Sequence, residues 1–274
     1  MATRRTSRCA SSRVSRRLRS NARPIKIDEE IVDVTMRGIT NALREIARLD
    51  KKRKPGDPGV VKPNELIFYL PWQLHDVAGK DKRIAIALFA LPLRDKRFRD
   101  LRGLQTSKVW VDRIMPGLLG SDEESAVLLF ERFSDDAKGP RSWASISGPK
   151  NLAEIRATLE HEIVHATDVA EPVTRPDLSG SEASLRRYYN DWFELRAHMS
   201  DTLNDIRSAF AEKLRSTLGK GTPLPRAVGE ALDFSLGKSE TWRRMDRYLT
   251  PRSRNLILKG LVTALEDEGI ITVE

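Results

Sequence analysis

His161, Glu162 and His165 stand in the block His-Glu-Ile-Val-His. In a helix, two imidazoles four residues apart lie one turn apart on one face, close enough to hold a single metal ion. The glutamate between them is rotated off that face yet can reach a water on the metal. Two neutral nitrogen ligands, an open coordination position and a carboxylate to take a proton are what a zinc hydrolase needs. The expected cofactor is therefore Zn2+, with His161 and His165 as ligands and Glu162 as general base. The non-catalytic account of the same residues is a pair of partly buried histidines on a core helix.

Two helices must position this set. The first runs through Leu152, Ile155, Leu159, Ile163 and Ala166, apolar at spacings of three and four. The second begins near Tyr188-Tyr-Asn-Asp-Trp-Phe-Glu-Leu-Arg-Ala-His198, with Phe193, Ala197, Leu203, Ile206, Phe210 and Leu214 on or near one face. Asn190 or Asp191 suits its N-cap. Glu194 then falls in the first turn or two, facing the first helix, and is the expected third metal ligand. Two histidines, a glutamate and a water make a catalytic zinc set.

These residues resemble the gluzincin metallopeptidases, in which a His-Glu-x-x-His helix is followed by a second helix supplying a glutamate. The pattern is most similar to small gluzincin-like proteins of phage and bacterial genomes. Those read His-Glu-hydrophobic-x-His-x-x-Asp, then Tyr-x-Asn-Asp, then Glu-x-x-Ala. The matching residues here are His161 to His165, Asp168, Tyr188 to Asp191, and Glu194 with Ala197. The resemblance spans about residues 150–215, with an echo at Thr250-Pro251-Arg252. It implies a small sheet ahead of the zinc helix, with an edge strand that holds the peptide in extended form. Thermolysin has an aspartate four residues after its glutamate, and His198 stands there instead.

Secondary roles are open among several residues. His198 is a ligand in place of Glu194, an oxyanion donor or a surface histidine. Asp168 orients an imidazole, caps the helix end or bonds a loop. Tyr189 and Arg196 join His198 as candidate oxyanion donors. The glycine and third histidine of a metzincin are absent after His165.

Charge is concentrated at one end. Of 48 basic residues, nine lie in residues 1–26, which contain no acid; 39 basic then face 39 acidic in the remainder. This Arg- and Ser-rich tail, residues 1–27, is expected to be disordered alone. Nucleic acid, an acidic partner and an organellar targeting role all suit it, as does a solvated arm. No apolar run is long enough for a membrane span, and the N-terminus has no apolar signal-peptide core. Cys9 is the only cysteine, so an internal disulfide is impossible. A cytoplasmic or virion-associated setting is expected.

The expected fold class is α+β. A helix covers 28–49, and a Pro- and Gly-rich basic loop covers 51–59. Strands are expected at Leu66–Leu70, Ile84–Leu91, Val109–Ile114 and Ala126–Phe133, with an edge strand at Ser142–Ile146. They form a small, mostly antiparallel or mixed sheet leading into the zinc helix. A loop rich in Pro, Ser and Gly precedes the Glu194 helix. Helices are expected at 224–236, 240–249 and 251–266. The expected division is a tail, a zinc metallopeptidase-like domain of 28–218 and a helical extension of 219–274. The expected function is zinc-dependent cleavage of a peptide or protein substrate. The alternative is a structural or virion-associated protein on a peptidase-like fold that binds nucleic acid through its tail.

Overall fold

From Ile84 to Leu91 every residue is apolar, and all eight are buried. Side chains of a strand alternate between faces, so such a run needs a core on each side. Ile84, Ile86, Leu88 and Ala90 enter one core. Ala85, Ala87, Phe89 and Leu91 enter another. This strand is the middle of the sheet in a computed structural model that describes residues 24–54, 57–62, 64–92, 102–133, 142–168 and 181–271. Most of the expected tail, and residues 169–180, where the expected Pro-, Ser- and Gly-rich loop falls, lie outside the described residues.

The sheet has four strands: β1 (Leu66–His75), β2 (Asp81–Pro92), β3 (Gly103–Ser107) and β4 (Ser125–Phe133). Their order is β1-β2-β4-β3. β1 pairs antiparallel with β2, β2 pairs parallel with β4, and β3 pairs antiparallel with β4. The sheet is mixed, as expected. On its Ile84 face lie α1 (Glu29–Asp50) and α4 (Pro149–Thr167). Asp28 caps α1 by accepting from the Glu30 N–H at 2.9 Å. Ile31, Met36, Ile39 and Leu43 are the buried stripe of α1. The opposite face is covered by Val111 of α2 (Lys108–Ile114) and by Leu119.

Two expected strands are helices. Val109–Ile114 lies in α2: Val109 is 66% exposed while Val111 is fully buried. Residues i and i+2 of a strand share a face, whereas in a helix they point well apart. Ser142–Ile146 contains the short helix α3 (Trp143–Ile146), with Trp143 and Ile146 both buried at i, i+3 and Ser142 as N-cap. The strand β3 was not anticipated.

These elements belong to a compact unit holding the described residues from Lys26 to Asp168; a second unit holds Pro24, Ile25 and residues 181–271. The second unit is helical: α5 (Glu182–Tyr189), α6 (Trp192–Leu218), α7 (Leu224–Leu236), α8 (Glu240–Met245), a 3-10 turn (Asp246–Tyr248) and α9 (Pro251–Asp267). Ile206, Phe210 and Leu214 of α6 share a core with Ala227, Ala231, Met245, Ile257 and Leu261. The expected zinc domain of 28–218 therefore takes in the first unit together with α5 and α6 of the second. Ile25 is buried, and its N–H donates to the Ser200 hydroxyl of α6 at 3.1 Å. Among the described residues no helix is long and apolar enough to cross a membrane.

Candidate metal centre

The helix α4 is fixed along its whole length. Pro149 occupies its first turn, where a missing N–H costs nothing. Ile155, Leu159, Ile163 and Ala166 bury its inner stripe. Arg156 ties its middle to α1, 2.8 Å from Asp33 and 3.0 Å from Glu29. Its C-terminal carbonyls are met by the β1–β2 hairpin: the Lys82 ammonium donates to Ala166 O at 3.4 Å and to Asp168 O at 3.1 Å. The Val77 N–H donates to Thr167 O at 2.9 Å. A cation there also suits the negative end of the helix dipole. Lys82 is steered by Asp76, 3.5 Å away and buried. Burial alone would raise the Asp76 pKa. Hydrogen bonds from Lys80 and Ala78 N–H, with Lys82 nearby, outweigh it and hold the carboxyl below its ordinary range.

His161, Glu162 and His165 all lie on α4, half-buried. The two imidazoles meet at right angles with their Nε2 atoms 3.2 Å apart. Two nitrogens each about 2.0–2.1 Å from one tetrahedral zinc would stand about 3.3 Å apart. The separation is thus compatible with two ligands of one metal ion. The Glu162 side chain leaves that face and turns to β3, where its Oε2 accepts from the Gln105 N–H at 2.7 Å. Asp168 is the C-cap of α4; its N–H donates to Val164 O at 3.0 Å.

In the second unit, Asp191 is the N-cap of α6, its carboxylate accepting from the Phe193 N–H at 3.1 Å. Glu194 sits in the first turn and is buried. One turn on, His198 Nδ1 lies 3.6 Å from Asp201 Oδ2. The rings of Tyr188 and Tyr189 pack against His198 at 5.6 and 5.0 Å. Tyr189 also stacks on Tyr248, 4° from parallel at 5.4 Å. Burial, above all, pushes the Tyr189 phenol above its ordinary pKa, so at neutral pH it remains an O–H donor. The Arg196 guanidinium lies over Trp192, 5.7 Å from the ring centre. Asn190, the other candidate for the N-cap of α6, is instead a fastener. Its amide donates to Arg186 O at 2.7 Å and Tyr248 O at 2.8 Å, while its oxygen accepts from the Thr250 N–H at 2.8 Å.

Within the first unit, then, His161, Glu162, His165 and Asp168 come together on one helix. Within the second, Glu194, Arg196, His198 and Tyr189 gather at the start of α6. Gly103, Gln105, Lys82 and Tyr248 were missed in the sequence, where nothing local marks them. Against protein-family models, curated proteins and solved structures, the chain has no match. The gluzincin resemblance rests on the residues quoted for it.

Proposed function

We propose that this chain is a zinc-dependent hydrolase of gluzincin type, a metallopeptidase acting on a peptide or protein substrate. The observation that carries this reading is the 3.2 Å approach of His161 and His165 Nε2, with the Glu162 carboxylate held on the adjoining face of α4. His161 and His165 are two ligands, and Glu194, acidic and in the first turn of α6, is the third. What zinc supplies when bound is Lewis acidity, which polarises a carbonyl and makes a water easier to deprotonate. Glu162 takes the proton of the attacking water and delivers it to the leaving amine as the peptide bond breaks. Tyr189, His198 and Arg196 are the candidate donors to the developing oxyanion. A purely structural zinc would not require a carboxylate beside its two histidines.

The test is metal analysis of purified protein beside Glu162→Gln. One zinc per chain is expected in both, with His161→Ala losing it. Glu162→Gln should keep the fold and lose at least about a hundredfold in peptide cleavage, the scale of general-base catalysis. Folded wild-type protein that takes up no zinc would remove the assignment.

A further inference from the structure

The strand β3 lies at the edge of the sheet. Arg102 O accepts from the Phe130 N–H, and the Lys108 N–H donates to Glu124 O, both at 2.8 Å. In this register Arg102, Leu104, Thr106 and Lys108 point their backbone groups at β4, and Gly103, Gln105 and Ser107 point theirs away. The outward N–H of Gln105 is the one that Glu162 takes. Gly103, on the same side of the strand two residues earlier, lies under the Glu162 stem. A Cβ there would stand 2.6 Å from Thr158 Cγ2, 2.7 Å from Glu162 Cγ and 2.8 Å from Glu162 Oε1. Approaches below 3.0 Å do not occur, so any other residue at 103 would displace that side chain.

We infer that β3 is the seat of the general base, with the Gln105 N–H and the bare Cα of Gly103 positioning the Glu162 carboxylate. This rests on the reading of Glu162 as the base. A backbone N–H to a carboxylate is a charge-assisted bond, short and directional. Because it comes from the backbone, it is fixed by the pairing of β3 with β4 rather than by a rotamer. Gly103 lets the carboxylate lie flat against the strand. The seat thus sets the reach of Glu162 independently of the two histidines, whose separation is set by α4 alone.

Amide hydrogen exchange of the full chain reads this without any substrate. The Gln105 amide should exchange slowly in the wild type and at least about tenfold faster in Glu162→Ala, since a hydrogen-bonded amide must open before it exchanges. Leu104 and Thr106, in the ladder, should not change. Equal Gln105 exchange in the two proteins would overturn the seat. Gln105→Pro removes the donor without costing a ladder bond, since proline is tolerated on strand edges. It should keep its zinc and KM while kcat falls about a hundredfold, the scale of misplacing a reacting group by an ångström. Wild-type kcat in Gln105→Pro, with Glu162→Gln inactive, would refute positioning by β3. An active Glu162→Gln would instead refute the base assignment, whatever the exchange result.

Discussion

Asn190 and Thr250, sixty residues apart, are joined by a 2.8 Å hydrogen bond from the Thr250 N–H to the Asn190 side-chain oxygen. The same amide group reaches Tyr248 O and Arg186 O. One side chain therefore fastens the end of α5 to the turn before α9. This gives the Thr250-Pro251-Arg252 segment a physical link to the Tyr-Tyr-Asn-Asp segment.

Replacing Asn190 by alanine strips three bonds and leaves a part-buried carbonyl unmet. A loss of about 1–3 kcal/mol in unfolding free energy is expected, the usual penalty for such a group. Urea denaturation of the two proteins measures it. A midpoint that does not move would show that water replaces the amide at no cost.

Glu194, not His198, should be the third ligand. His198 is packed between two tyrosines and lies near Asp201, partners that suit a structural imidazole. Alanine at each position, titrated with zinc against a chelator, separates the two roles. Loss of zinc in His198→Ala alone would reverse the assignment.

Acid should weaken the clamp at the end of α4. The Asp76 carboxyl is held below its unfolded pKa of about 3.9. A depressed group contributes stability that is present above the unfolded value and lost as pH falls through the folded one. Asp76→Asn should therefore be less stable than wild type at pH 7, with the gap closing as pH drops below about 4. Stability curves from neutral pH down into strong acid test this, and a gap that is constant over the range would count against it. Lys82→Met should cost about 1–3 kcal/mol at neutral pH, since it removes a donor to the Ala166 and Asp168 carbonyls.

Affinity for DNA, RNA or another polyanion should reside in the arginines ahead of Pro24. Deletion is best made at 1–23, because Ile25 is buried and bonded to Ser200. That removes eight of the 48 basic residues and leaves 40 against 39 acidic ones. Binding titrated at several salt concentrations should weaken, and its log–log slope should flatten by about 0.9 for each duplex phosphate that the truncated chain no longer neutralises. An unchanged slope would place the binding elsewhere.

Legibility in the sequence followed the range of the interaction. The helix of His161 and His165, the Asp191 cap and the first-turn position of Glu194 are set by residues within a few places of each other. β2 was legible because eight apolar residues in a row are short for a helix and suit a strand buried on both faces. Val109–Ile114 misled because valine and isoleucine favour strands while tertiary burial, here of Val111 but not Val109, decides the outcome. The hydrogen bond between Glu162 and Gln105 spans 57 residues, and that between Lys82 and Asp168 spans 86. No local pattern encodes such pairings.

Because β2 and β4 are parallel, their pairing is long-range and must bring distant parts of the chain together, and β3 pairs only with β4. The two histidines need no such closure; one turn of α4 brings them together. During refolding, the histidine pair should thus form before the seat of Glu162. If the proposed function holds, specific activity per bound metal, rather than metal content, would measure how many chains have Glu162 seated on β3.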